Sequence, residues 1–400
     1  MRRIVLLHLC VAMALAAFPT ACDPSEPVVK PSYSAVAGSP GETLSPVLIT
    51  PTLPAASITP TTVTPRPAPA SDGAPMRDIP LVYDLRQKEN EVVIVALDLA
   101  SGEERSVATI PLTTSAGMSI YGTVLPAPDQ KTLAVSIDNL EVQQVYLIKN
   151  NKARLILSAE GEHSIDEWSP DGARFLLFST KDNDQGCMQQ TCFFDIYSID
   201  AATGVETRLT TTTDPEVDAV WSPDGKQIAF LRGCVDISID ECGPDLYLMN
   251  ADGSDERLLA EGWIASPHFL SPDQIVYAQH AGERASIYRI ATNGGTPQSV
   301  VEADTDILGM RVTPDGQTIA FINQRGECRF EPCVREIYVV AIDGSNLRTI
   351  HRLDSWLQAW GWTGNRHLWL LLPADSSPQQ LLVYAADGTL IDKRVIKQQP

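Results

Sequence analysis

The apolar positions of this chain come in short solid runs set off by turn residues, not at the three-to-four spacing of a helix. "DEWSPDGARFLLF", Asp166 to Phe178, is followed 53 residues later by "AVWSPDGKQIAF", Ala219 to Phe230. In both, Trp-Ser-Pro-Asp-Gly precedes one or two polar residues and then an unbroken apolar stretch. Proline holds φ at about −65° and glycine tolerates positive φ, so the pentapeptide marks a tight turn. The run after it is too short for a buried helix and suits a strand. The local prediction is strand, turn, buried strand.

The pattern recurs. With Trp168 as a phase mark, the same slot is filled by Pro126, Trp221, Leu270, Val312 and Trp362, at steps of 42, 53, 49, 42 and 50 residues. A second punctuation closes most units, as in "SIDAATGVE", "LMNADGSDE", "VAIDGSNL" and "YAADGTL", each following an apolar strand such as "DIYSI", "DLYLM" or "EIYVV". One unit is therefore four strands joined by a Ser-Pro-Asp-Gly turn, a longer connection and an Asp-Gly turn. Four-stranded units at this period predict an all-β fold, a β-propeller. A lone blade cannot bury both of its faces, so copies stack around an axis, with the residue in the Trp slot as core between blades. A partial first unit, "LVYDL" then "EVVIVALDLASGEE", makes the count seven blades, with six as the alternative.

Repeated "WSPDG" followed by "IAF", with a tyrosine in the third strand, resembles the PD40 repeat of TolB-like propellers over residues 78 to 397. TolB carries a separate α/β domain ahead of its propeller, and here a Pro/Thr-rich segment stands in that place. Prolyl-oligopeptidase-type enzymes pair a similar propeller with a hydrolase domain, for which the remaining chain has no room.

The N-terminus changes the picture of where this head resides. "MRR" and the apolar stretch Ile4 to Ala17 form a signal peptide over residues 1–21, and that stretch is too short to span a bilayer as a helix. "FPTAC" resembles the lipobox of bacterial lipoproteins, with Pro19 where an aliphatic residue is usual. The resemblance implies lipidation of Cys22; plain secretion is the alternative. Residues 22–77 are dominated by Pro, Thr, Ser and Ala with little charge, which predicts an extended tether. At roughly 3.1 Å per residue such a tether reaches on the order of 150 Å. Residues 78–400 form the propeller. The expected setting is the outer side of the cytoplasmic membrane or the cell envelope, with the membrane contacted through the lipid anchor.

Six cysteines lie in the propeller as three close pairs: Cys187 with Cys192, Cys234 with Cys242, and Cys328 with Cys333. Each pair falls between the second and third strands of its unit, and the units that carry them are the three long ones. The extra length is an inserted loop that brings its own pair. An exported chain favours disulfides, each stabilising by roughly 2 kcal/mol on the chain-entropy model. The spacings are poor for zinc, and no histidine lies within these loops.

Propeller topology puts the Ser-Pro-Asp-Gly and Asp-Gly turns on one face and the inserted loops, with the connections between blades, on the other. Variable loops on a fixed scaffold are where binding resides. Trp263 and Trp356 fall in the blade connections, with Asp304, Asp306 and His163 near them. Asp166 and His268 lie on inner strands and are candidates to face the central channel. The formal charge of −20 argues against a basic nucleic-acid surface. No GxSxG, HExxH or P-loop occurs, and "DNDQG" at Asp182 to Gly186 lacks the later ligand of a calcium loop. The sequence therefore predicts a monomeric binding propeller without cofactor or metal. Its partner would be an envelope protein or a cell-wall glycan. A channel-centred hydrolase or lyase is the other class.

Overall fold

Second strands of the repeat read as solid apolar runs because both of their faces are buried. In Arg174–Ser179, Phe175 and Leu177 enter one core together with Leu125, Ala134 and Trp168, while Leu176 and Phe178 enter the next with Trp221 and Phe230. The same division recurs in Gln227–Arg232, where Ile228 and Phe230 point one way and Ala229 and Leu231 the other. Each side chain of this class stabilises by about 1.5–3 kcal/mol relative to exposure.

The structure is a computed structural model. It describes residues 81–396 apart from 89, 100, 113–120, 139–142, 183–186, 189–190, 234–242, 283, 304–305, 326–333, 354–356 and 373–378. Cys22, Trp356, Asp304 and the pairs Cys234–Cys242 and Cys328–Cys333 lie outside the described residues.

Among the described residues the regular structure is all antiparallel sheet. Blade 1 contributes Val82–Lys88, Glu91–Leu97 and Glu104–Pro111. Blade 2 runs from Tyr121–Pro126 to Lys152–Ala159, and blade 3 consists of His163–Trp168, Arg174–Ser179, Asp195–Asp200 and Glu206–Arg208. Blade 4 extends from Glu216–Trp221 to Arg257–Ala260, and blade 5 from Trp263–Ser271 to Gln298–Glu302. Blade 6 spans Asp306–Val312 to Arg348–Leu353, and blade 7 spans Ala359–Thr363 to Leu390–Val395. The three described strands of blade 1 hold the second to fourth positions. The turn at Asp98, where Gly102 N–H donates to Asp98 O, repeats the third-to-fourth turn at Asp200, where Gly204 N–H donates to Asp200 O.

Seven apolar clusters lie one per junction between blades. The seventh sets Leu97 and Leu99 of blade 1 against Trp369, Leu371 and Val383 of blade 7, which closes the ring. The fold is a seven-bladed β-propeller.

The turn predicted from Ser-Pro-Asp-Gly is built the same way each time. Ser169 Oγ donates to Asp171 Oδ1 at 2.6 Å and accepts from Arg174 N–H at 2.9 Å, with Gly172 at φ 69°. Ser222 with Asp224, and Thr313 with Asp315, repeat the arrangement. Gly316 stands at φ 68° beside blade 5, and a Cβ there would fall 2.4 Å from Leu270 O.

The Trp slot does more than fill space. Trp168 Nε1 donates to Leu125 O at 3.0 Å and Trp362 Nε1 to Arg311 O at 3.2 Å, in each case the residue just before the slot of the preceding blade. At Trp221 the link is made differently: its main-chain N–H donates to Glu167 Oε2 at 2.7 Å, and Arg174 covers the indole at 4.8 Å.

Candidate binding face

Second strands end, and first strands begin, at the loop face. There the apolar cores give way to charged and polar groups, some joining strands of one blade and some reaching the next blade or its connection. Between blades 3 and 4, Arg232 closes the apolar run "QIAFLR" and its side chain stretches over Tyr247 at 4.6 Å and Phe230 at 5.1 Å. Its guanidinium donates to Glu216 Oε1 at 3.0 Å and grips Glu256 bidentately at 2.5 and 2.7 Å. Glu216 is wholly buried and also accepts from the hydroxyls of Thr210 and Thr212 in the connection between the blades. Asp195, buried at the start of the third strand of blade 3, receives Arg208 at 2.7 Å. Burial pushes Glu216 up from the ordinary carboxylate value, against the donors of Thr210, Thr212 and Arg232. Burial raises Asp195 in the same way, with Arg208 opposing it. For Arg232, burial alone would lower the value, and Glu256 and Glu216 outweigh it.

The other junctions carry smaller versions. Between blades 2 and 3, Gln143 Nε2 donates to Asp138 at 3.0 Å and to Glu162 at 2.8 Å, while its oxygen accepts the main-chain N–H of His163. Between blades 5 and 6, His280 Nδ1 lies 3.0 Å from Asp306 Oδ1, and the ring packs against Trp263 with centroids 5.6 Å apart. Lys181, where blade 3 passes into its inserted loop, pairs with Glu206 and covers Tyr197, whose hydroxyl donates to Asp182 at 2.7 Å.

The sequence candidates thus fall into two groups. Trp263 and Asp306 are brought together through His280, which sequence reasoning passed over. A histidine closing an apolar run, as in "IVYAQH", was the available signal. Asp166 and His268 hold equivalent places in blades 3 and 5, with blade 4 between them. Both lie at β-bulges of the innermost strands, where the register shifts between Ile165 and Trp168 and between Ala265 and His268. His268 Nδ1 is 3.0 Å from Ser266 O. Of the cysteines, Cys187 stands directly opposite Cys192 in a two-stranded ribbon. Among the described residues no group of three or more His, Cys, Asp or Glu is placed to hold a metal ion. No helix there is long and apolar enough to cross a membrane.

No family model matches the chain. The Tol-Pal system protein TolB of Francisella tularensis subsp. holarctica (strain OSU18) is 29% identical over 180 residues, 44% of this chain. That match spans 38% of the relative's length. Among solved structures, a prolyl endopeptidase superposes with a TM-score of 0.59 at 15% identity over 82% of this chain and 50% of that one. An oligogalacturonate lyase in complex with manganese gives 0.52 at 14% identity, over 78% of this chain and 84% of its own. Identities this low speak for the fold alone. The class is that of closed seven-bladed β-propellers with one face of short turns and one of longer loops. Within that class, the repeat and the relative make it a TolB-like propeller.

Proposed function

We propose that this chain is a binding propeller of the cell envelope that takes a protein partner on its loop face and performs no chemistry. The observation that carries the reading is the set of charged fastenings at the loop-face ends of the blade junctions. Buried ion pairs and amide bridges hold the loop roots in fixed positions, which lowers the ordering cost of binding. The loops that spring from them mix charged and apolar residues, as protein interfaces do. The partial match to a Tol-Pal system protein supports an envelope setting.

On this reading residues 1–21 direct export, Cys22 carries the lipid, residues 22–77 act as the tether, and residues 78–400 are the head. The three cysteine pairs staple the inserted loops, and the facing backbone positions of Cys187 and Cys192 suit such a bond. Trp263 and Trp356, with Asp304 and Asp306, contribute the contact surface; a cell-wall glycan is the other partner this surface would suit. A second reading, a channel-centred hydrolase or lyase, draws on Asp166 and His268 standing at equivalent places of their blades.

Crosslinking of the intact tethered protein in its own envelope, followed by mass spectrometry, tests this. A variant with the three inserted loops shortened is run alongside. One abundant protein partner, lost in the variant, is the expected result. A partner indifferent to the loops, or none, overturns the reading. Turnover of an envelope glycan or peptide that survives loop shortening and is lost in Asp166→Ala or His268→Ala would replace it with the second.

A further inference from the structure

His163 opens the first strand of blade 3 and is almost fully buried. Its Nδ1 lies 2.8 Å from Ser179 Oγ, while Nε2 is sealed from solvent with no hydrogen-bond partner among the described groups. Ser179, wholly buried, ends the second strand, and the same Oγ accepts the main-chain N–H of Lys181 at 3.1 Å. The next residue, Thr180, donates its N–H to Glu162 O at 3.1 Å and accepts the N–H of Glu162 on Oγ1 at 3.0 Å. The imidazole therefore stands under the residues where the chain leaves blade 3 for the loop bearing Cys187 and Cys192.

The surroundings are poor for a second proton. Lys181 from the loop root and Glu206 from the fourth strand are the charged groups that act on the ring, with the carbonyls of Ala159 and Glu160 beside it. Glu162 and Asp138 lie across the Gln143 amide that receives the main chain of His163. Burial holds His163 below the ordinary imidazole value, and Lys181 lowers it further against those carbonyls and Glu206. An imidazolium would place a cation in a sealed site beside Lys181. The least costly relief is local: release of the Ser179–Lys181 turn and entry of water.

We propose that His163 is an acid-sensitive latch on the blade 3 loop, holding its root closed while neutral and freeing it when protonated. The inference does not rest on what the loop face binds. Because the ring titrates below its unfolded value of about 6.5, the closed root has its full stability above that pH and loses it as the pH falls further. Each pH unit below that value costs up to about tenfold in the closed-to-open ratio until the folded value is passed.

The test is amide hydrogen exchange of the full chain at about pH 7.5 and about pH 5.5, corrected for the intrinsic rate. Thr180 and Lys181 are compared with the second strand of blade 6, Thr318–Arg325. The expected result is a fall in protection of about fivefold to tenfold at the loop root, with none in blade 6, and no pH response in His163→Gln. An unchanged root, or the same response in the variant, overturns the proposal. Should His163→Gln fail to fold, the His163 ring-proton NMR titration of the wild type is set against the exchange curve. Coincident midpoints support the latch and separate midpoints overturn it.

Discussion

The two ends of the propeller use the same residue types to opposite effect. On the turn face, Asp171 and Asp224 are held below the ordinary carboxylate value, chiefly by the hydroxyls of Ser169 and Ser222 and by backbone N–H groups. On the loop face, Glu162, Asp195 and Glu216 are raised, because burial outweighs their donors. Turn-face carboxylates sit in water and bond within four or five residues of themselves. Loop-face carboxylates are drawn into the junctions and depend on residues from a neighbouring blade or strand. The first arrangement folds as a local unit; the second joins strands of one blade, as Arg208 with Asp195, or connects to the adjoining segment, as Thr210 with Glu216, and is desolvated by the packing around it. A protein that must keep one face constant and offer the other to a partner gains from this division.

Breaking the loop-face network should have the largest effect. Arg232→Ala strands Glu216 and Glu256, and removal of one partner of a buried pair costs about 3–5 kcal/mol. Urea unfolding should show this as a marked drop in midpoint, with most of it recovered in Arg232→Met combined with Glu216→Gln. A loss under about 1 kcal/mol in the single variant would mean that the cluster fastens nothing.

Trp168→Phe removes the indole link to Leu125 O and some core volume at the junction of blades 2 and 3. A loss of about 1–3 kcal/mol is expected, because a buried carbonyl is left without its donor. The same change at Trp221, whose link runs through its main chain, should cost less. Equal losses at the two sites would remove the distinction between them.

On the turn face, Gly316→Ala forces a side chain into the left-handed region and against Leu270 O, for about 1–2 kcal/mol. Gly294→Ala has nothing within 4 Å and tests strain alone. The difference between the two variants isolates the contact between blades.

The smallest effects lie in the pH profile, and their signs differ between the faces. Asp171 and Asp224 stabilise above the unfolded carboxylate value of about 3.9, and that contribution is lost as the pH falls through their folded values. Glu162 favours its protonated form in the fold, so stability falls as the pH rises from about 4.3 through its folded value. Asp171→Asn with Asp224→Asn should flatten the acid arm by a few tenths of a kcal/mol after solvent screening. Glu162→Gln should flatten the decline above it. A profile unchanged by both would overturn the contrast.

Much of this architecture is legible in one chain because its determinants are local. A Ser-Pro-Asp-Gly turn closes on its own side chains, and an apolar run of five or six residues announces a strand buried on both faces. Seven blades followed from counting "EVVIVALDLASGEE" as a unit, and the turn at Asp98 repeats the main-chain bonds of the one at Asp200. The candidate site was read less completely. Trp263 and Asp306 were recognised as neighbours on one face, but His280 between them was not. Nothing in "IVYAQH" distinguishes a histidine that meets the next blade from one that meets solvent.

By itself, then, the sequence determined the blade, its turns, the Trp slot and the face to which the inserted loops belong. Each of these depends on a strand period or a turn closed within a few residues. Tertiary structure alone decided that Glu216 and Asp195 are buried, that Arg232 spans its blade to reach Glu256, and that His163 is sealed beneath Ser179. Those facts depend on desolvation, which follows from what the neighbouring blade covers, and no single blade carries that information before the ring closes.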